Sequence, residues 1–235
     1  MRKVVLMLSF VAAVSIPAAA RADVILGVLN ATGTANISFG SIAFLDNAFS
    51  INSPASAQTG GFMALAGTAG TIQNITNPPD ATGPLDVPDF MTFASAPNIS
   101  ITLTYLLPGI DGAAGCSDPV PAAGQLCTPD VPVESPFNLE NTSATSSSAA
   151  FNVLGVEVDS LTGHTVDVTG AFSTPFTSQS FQDLLKVIAA GGTITTAFAA
   201  QFSTVSATPE PSTLIELMIG IGAVGLVYRK KFRKG

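Results

Sequence analysis

The chain has 235 residues, a formal net charge of −7, a 47% share of hydrophobic residues, no tryptophan and a single histidine. Fourteen of its sixteen acidic residues fall between Asp23 and Thr208, against one cation, Lys186. Such a stretch repels phosphate backbones, which argues against nucleic-acid binding, and a lone His164 with two cysteines is too little for a zinc cluster.

In chain order, the N-terminus reads as an export signal. Arg2-Lys3 is a positive n-region, Val4 to Val14 an apolar h-region, and Ala20-Arg21-Ala22 an A-x-A cleavage site, with Ala18-Ala19-Ala20 a second fit. A signal peptide over 1–22 and a mature chain starting at Asp23 are expected. The next stretch, 23–202, is long enough for one domain with its own core.

Within that domain the apolar residues recur mostly with a period of two. Ile99, Ile101, Leu103 and Tyr105 alternate with Ser100, Thr102 and Thr104, and Val166 and Val168 alternate with Thr165, Asp167 and Thr169. Further strands are expected over Val24–Leu29, Ala35–Phe39, Ile42–Leu45, Phe90–Phe93, Phe151–Val158 and Ile194–Val205. Gly, Pro and Asn clusters separate them, as in Asn77-Pro78-Pro79-Asp80 and Pro108-Gly109-Ile110-Asp111-Gly112. Many short strands with turns between them predict a mainly β, antiparallel, jelly-roll-like sandwich.

Three segments depart from that period. Cys116 to Pro136 is rich in proline and reads as a long surface loop. Cys116 and Cys127 are an even pair in an exported chain, so one disulfide is expected, contributing about 2–3 kcal/mol. Asn141–Ser148 reads as a Ser/Thr-rich turn. Phe181, Leu184, Leu185 and Ile188 form the stripe of one short amphipathic helix, with Ser180 as its cap and Gly191-Gly192 as its end.

Groups for catalysis are sparse. The chain has no G-x-S-x-G, no H-E-x-x-H and no P-loop. A Ser-His-Asp arrangement would rest wholly on His164, which lies between Gly163 and Thr165 and reads as an exposed turn residue. Asp86 with Asp89, or Glu157 with Asp159, are the carboxylate pairs open to a glycosidase. The aromatic platforms such a cleft needs are missing, since Tyr105 is the domain's one tyrosine.

Asp80, Asp86, Asp89, Asp111, Asp118 and Asp130 lie in turn-rich segments where calcium ligands can converge, without the spacing of an EF-hand. The sequons at Asn30, Asn36, Asn74, Asn98 and Asn141 match what this composition yields by chance. No catalytic, cofactor or metal residue is therefore assigned.

The C-terminus carries a second address. A linker over 203–208 leads to Pro209-Glu210-Pro211, an apolar span over 212–228, and a basic tail over 229–235 containing Arg229, Lys230, Lys231, Arg233 and Lys234. The mostly apolar run, Leu214 to Tyr228 with Glu216 near its outer end, would make a helix of about 22 Å against a hydrocarbon core of about 30 Å, so it spans marginally. The basic residues place the C-terminus in the cytoplasm. Gly220-Ile221-Gly222-Ala223-Val224-Gly225 spells a dinucleotide fingerprint, but a membrane segment has no βαβ unit to support one.

This motif, span and basic stop, in this order, resemble the PEP-CTERM sorting signal of Gram-negative bacteria. The resemblance implies an exosortase as partner, a transient single-pass stay in the inner membrane, and release to the cell surface or extracellular matrix. It further implies association with exopolysaccharide, biofilm or floc. The stretch from 23 to 208 also resembles the globular domain often found on such proteins, without carrying functional residues across. A structural, non-enzymatic surface protein is the expectation. The alternatives are an adhesin for polysaccharide, calcium or ice, and then a secreted hydrolase. For ice, Thr193-Ile194-Thr195-Thr196 is too short an array.

Overall fold

A computed structural model describes residues 26–76, 82–130 and 135–205. The cleavage residues Ala20, Ala22 and Asp23, the motif Pro209-Glu210-Pro211, the apolar span and the basic stop lie outside the described residues. Among those described, no helix is long and apolar enough to cross a membrane.

Period-two burial builds the wall. On β10 (Ser146–Asp159) alternate residues from Ser147 to Asp159 are buried, and β11 (His164–Phe176) repeats the pattern from Val168 to Phe176. The other wall strands are β1 (Val28–Ser38), β3 (Ala48–Ile51), β4 (Ala69–Ile72), β6 (Gly83–Phe93), β7 (Ala96–Leu106) and β12 (Ile194–Val205). Hydrogen bonding runs β11-β12-β1-β3-β4-β6-β7-β10 and returns from β10 to β11, antiparallel throughout. The protein is an antiparallel β-barrel in place of the two-sheet sandwich predicted from strand spacing. Closure removes the sheet edges that a sandwich must protect.

At one end the wall forks. Along one edge, β10 pairs with β7 from Val153 to Asp159 but with β9 (Asn138–Ser143) from Ser146 to Ala150. Likewise β1 pairs with β3 at Ala31 and Thr32, then with β2 (Ser41–Phe44) from Ala35 to Ser38. Short strands β5 (Ile75–Thr76) and β8 (Leu126–Cys127) extend β2 and β9. The helix α1 (Phe181–Ala189) covers this forked end.

The interior is filled by phenylalanine. Phe172 stacks on Phe151 at 4.7 Å between ring centroids and lies within 5.5–6.3 Å of Phe44, Phe90, Phe198 and Phe202. Two wall positions must be glycine to admit these rings. A Cβ on Gly33 would come 2.6 Å from the Phe198 ring, and one on Gly170 would overlap the Phe202 ring. An eight-stranded barrel is just wide enough to be packed in this way.

The strands differ from expectation in particular places. Val24–Leu29 and Ala35–Phe39 were expected as two strands, but the chain runs unbroken as β1 from Val28 through Gly33. The Ser/Thr-rich segment is a β9–β10 hairpin whose turn is only Ala144-Thr145. Strand β12 has the expected bounds, Ile194–Val205, so it takes up the first three residues of the expected linker. Strands β3, β4, β5 and β8 were not foreseen.

Candidate functional site

The site is built where α1 meets the forked end. Ser180 caps the helix: its Oγ accepts from the Asp183 N–H at 3.3 Å and donates to the Asp183 carboxylate at 2.9 Å. This reciprocal arrangement satisfies donors left open at a helix start. Hydrogen bonds from Lys186 and then Ser180 hold the Asp183 carboxyl below its ordinary value. Gly191 ends the helix at φ +75°, the left-handed conformation glycine adopts without cost.

A buried amide cluster fixes the helix at its N-terminal end. Asn141 on β9 is fully buried, and its carboxamide oxygen accepts from the Phe181 N–H at 2.9 Å. Its nitrogen donates to Gln125 and to Gln182, both at 2.9 Å, and Gln182 donates to Gln125 at 3.0 Å. Gln125 belongs to the loop closed by the disulfide between Cys116 and Cys127, whose Cα atoms lie 4.9 Å apart. Helix, loop and β9 are thus one unit, because each amide left without its partner would carry a desolvation penalty.

Under the C-terminal half of α1 this unit leaves a cavity of about 480 Å³. Leu184, Leu185, Ile188 and Ala189 form its roof. Ile37 and Phe39 at the end of β1, Ala149 on β10, Phe176 on β11 and Ile194 on β12 form its floor and one side. The other side is supplied by Cys116 of the disulfide and by the segments that flank its loop, through Ala113, Pro129 and Phe137. Polar lining is limited to Ser38, Ser117, Ser135 and Asp130, with no Lys, Arg or His among the described lining residues. A much smaller void, about 20 Å³, shares Ile37, Phe137 and Ala149 and ends against Phe172 and Phe198, where the rings close the barrel. The larger volume falls within the range of about 300–1,000 Å³ typical of small-molecule pockets.

The candidates from sequence are distributed as follows. Cys116 lines the cavity wall, and Cys127 is buried in the apolar cluster beside it with Leu139, Phe176 and Phe181. Asp130 lies at the cavity, and Asp118 is held through its backbone oxygen by Gln182 at 3.4 Å. Asp86 and Asp89 are exposed on the bulged part of β6, and Asp80 lies outside the described residues. Among the described residues, no group of three or more His, Cys, Asp or Glu side chains could hold a metal ion.

The second carboxylate pair belongs to the opposite end of β10. Glu157 and Asp159 share the inward face there, and both are buried rather than set in a cleft. Asp159 accepts from Asn98 at 2.9 Å, from the Leu161 N–H at 2.9 Å and from Thr162 at 3.0 Å. Those bonds, the one from Asn98 first, hold its carboxyl below the ordinary range. His164 opens β11 directly across from Asp159.

The sequon asparagines serve the fold. Asn36 accepts from Thr195 at 2.6 Å, Asn74 from the Phe44 N–H at 2.7 Å, and Asn30 donates to the Ala57 carbonyl. Comparison with protein families, with curated proteins and with solved structures gives no match.

The cavity itself escaped sequence reading because its walls come from stretches of the chain scattered between Ile37 and Ile194. The one local signal was on α1: the apolar stripe runs on to Ala189, a residue too small to fill the space it faces.

Proposed function

We propose that this chain is an exported bacterial surface protein, sorted by an exosortase through its PEP-CTERM-like tail, with a structural role in an exopolysaccharide matrix. The tail carries the reading: Pro209-Glu210-Pro211, a mostly apolar stretch over 212–228 and the basic stop Arg229 to Lys234, in that order. Two features of the domain support it. The disulfide between Cys116 and Cys127 suits an oxidising compartment outside the cytoplasm. A domain with Lys186 as its one cation keeps copies apart by like-charge repulsion, as a displayed, soluble surface needs.

The role is display rather than turnover. His164 lies across from Asp159, but that carboxylate is buried and holds a turn through Asn98, Leu161 and Thr162, while Asp86 and Asp89 lie apart on β6. The test is expression, in a host with and without an exosortase, of the full chain and of a chain ending at Thr208. The proposal requires that only the full chain, and only with the exosortase, is shortened and moved from the membrane to the cell exterior. Identical size and compartment for all four combinations would reject it.

A further inference from the structure

We infer that the cavity beneath α1 is a binding site for a neutral, elongated apolar molecule with a hydroxyl end, such as a medium-chain alcohol. Three observations select that chemistry. The space, about 480 Å³, is a half-open cleft between helix, barrel mouth and the disulfide-linked segment, with Phe39, Ala113, Ser117, Asp130 and Ala189 exposed along it. Its walls are aliphatic and aromatic, so an alkyl chain gains on the order of 25 cal/mol per Å² of apolar surface withdrawn from water.

Among the described residues, the polar side chains it offers are three serine hydroxyls and one carboxylate, Asp130. These accept from, and donate to, a hydroxyl group. They give a carboxylate or phosphate no cation, and Asp130 repels it. The domain's single cation does not help: Lys186 is exposed and 3.0 Å from Asp183. Anionic lipids and free fatty acids are therefore excluded on charge, and sugars are disfavoured by the apolar walls.

The cavity is also preorganised. The amide cluster holds the start of α1, and Leu184 anchors it in the apolar cluster whose Leu139, Ala149 and Phe176 also line the space, so a ligand has little ordering to impose.

Because the chain contains no tryptophan, single tryptophans report on the site locally. Ala113→Trp and Ala189→Trp place reporters at exposed positions on two different walls, and Ala123→Trp serves as a control on the outer part of the disulfide loop. Each is made in the full chain, held in lipid nanodiscs, and titrated with bromododecanol and with bromododecanoate. Circular dichroism checks that each variant is folded.

The inference requires saturable quenching of both cavity reporters by the alcohol, at least about tenfold weaker quenching by the carboxylate, and no saturable quenching of the control. Unbrominated dodecanol should reverse it. Unsaturable quenching, equal quenching at all three positions, or no preference for the alcohol would overturn the site or its charge selectivity.

Discussion

At one end of the barrel the 3-10 segment Gly60–Leu65 sends Phe62 and Leu65 into the main core, where both are buried and Phe62 meets Phe93 at 6.4 Å. At the other end α1 packs through Phe181 and Leu184 into a separate apolar cluster and leaves about 480 Å³ beneath its last turn. Both caps are short helical segments with apolar stripes, so helix type does not explain the difference. Anchoring does. The first cap is tied by its backbone to the start of β1, where the Gly61 N–H donates to the Leu26 carbonyl at 3.0 Å, and only its side chains enter the barrel. The second is held from its side by the Asn141 cluster, packs through Phe181 and Leu184 into its own cluster and bridges a forked wall, so none of its residues belongs to the main core.

The largest expected effect comes from removing the plug. Phe62→Ala should cost about 3–5 kcal/mol, because a fully buried ring in the main core leaves a cavity that its neighbours fill only in part. Urea unfolding measures it. A loss below about 1 kcal/mol would mean that this end is as loosely packed as the other.

Next is the disulfide. Replacing Cys116 and Cys127 together by serine should cost about 2–3 kcal/mol and lower protection from amide exchange on α1 and β8 before β3 or β4. Uniform loss of protection would break the division into two caps.

Third, Ile188→Ala should cost only about 1 kcal/mol, since Ile188 is part-buried and already borders empty space. A cost equal to that of Phe62→Ala would show the cavity to be filled.

The smallest effect is on pH dependence. A carboxyl whose folded value is lowered stabilises the protein above its unfolded value, and that contribution fades as pH falls through the folded value. For Asp159 the fading therefore lies below pH 3.8. Asp159→Asn should flatten this acid limb of stability while Ile188→Ala leaves its slope unchanged. An unchanged slope in Asp159→Asn would remove Asp159 from the account.

Which parts were legible in sequence follows from range. Phe181, Leu184, Leu185 and Ile188, with Ser180 before them and Gly191 after, encode α1 within a dozen residues, and the structure places helix, cap and stop as predicted. The disulfide was legible because two cysteines allow one pairing. Strands β7 and β11 announced themselves by alternation, as Ile99, Ile101, Leu103 and Tyr105 and then Val166 and Val168 show. Strand β4, Ala-Gly-Thr-Ile, did not, because small residues with weak strand preference are there to make room: a Cβ on Gly70 would overlap the Phe49 ring. Barrel closure was also hidden. It depends on β10 pairing with both β7 and β11, and alternation within a strand says nothing about its neighbours. The cavity depends on closure and on the fork together, so no local pattern could reveal it.

At one end of this barrel Phe62 and Leu65 fill the core, and at the other the cleft under α1 receives a ligand. Amide chemical-shift mapping during titration with dodecanol tests this contrast most directly. The account predicts saturable shifts confined to Leu184–Ala189, Ala113–Ser117 and the end of β11 near Phe176, with none at Gly60–Leu65. Shifts of equal size at both caps, or no saturable shift at either, would contradict it.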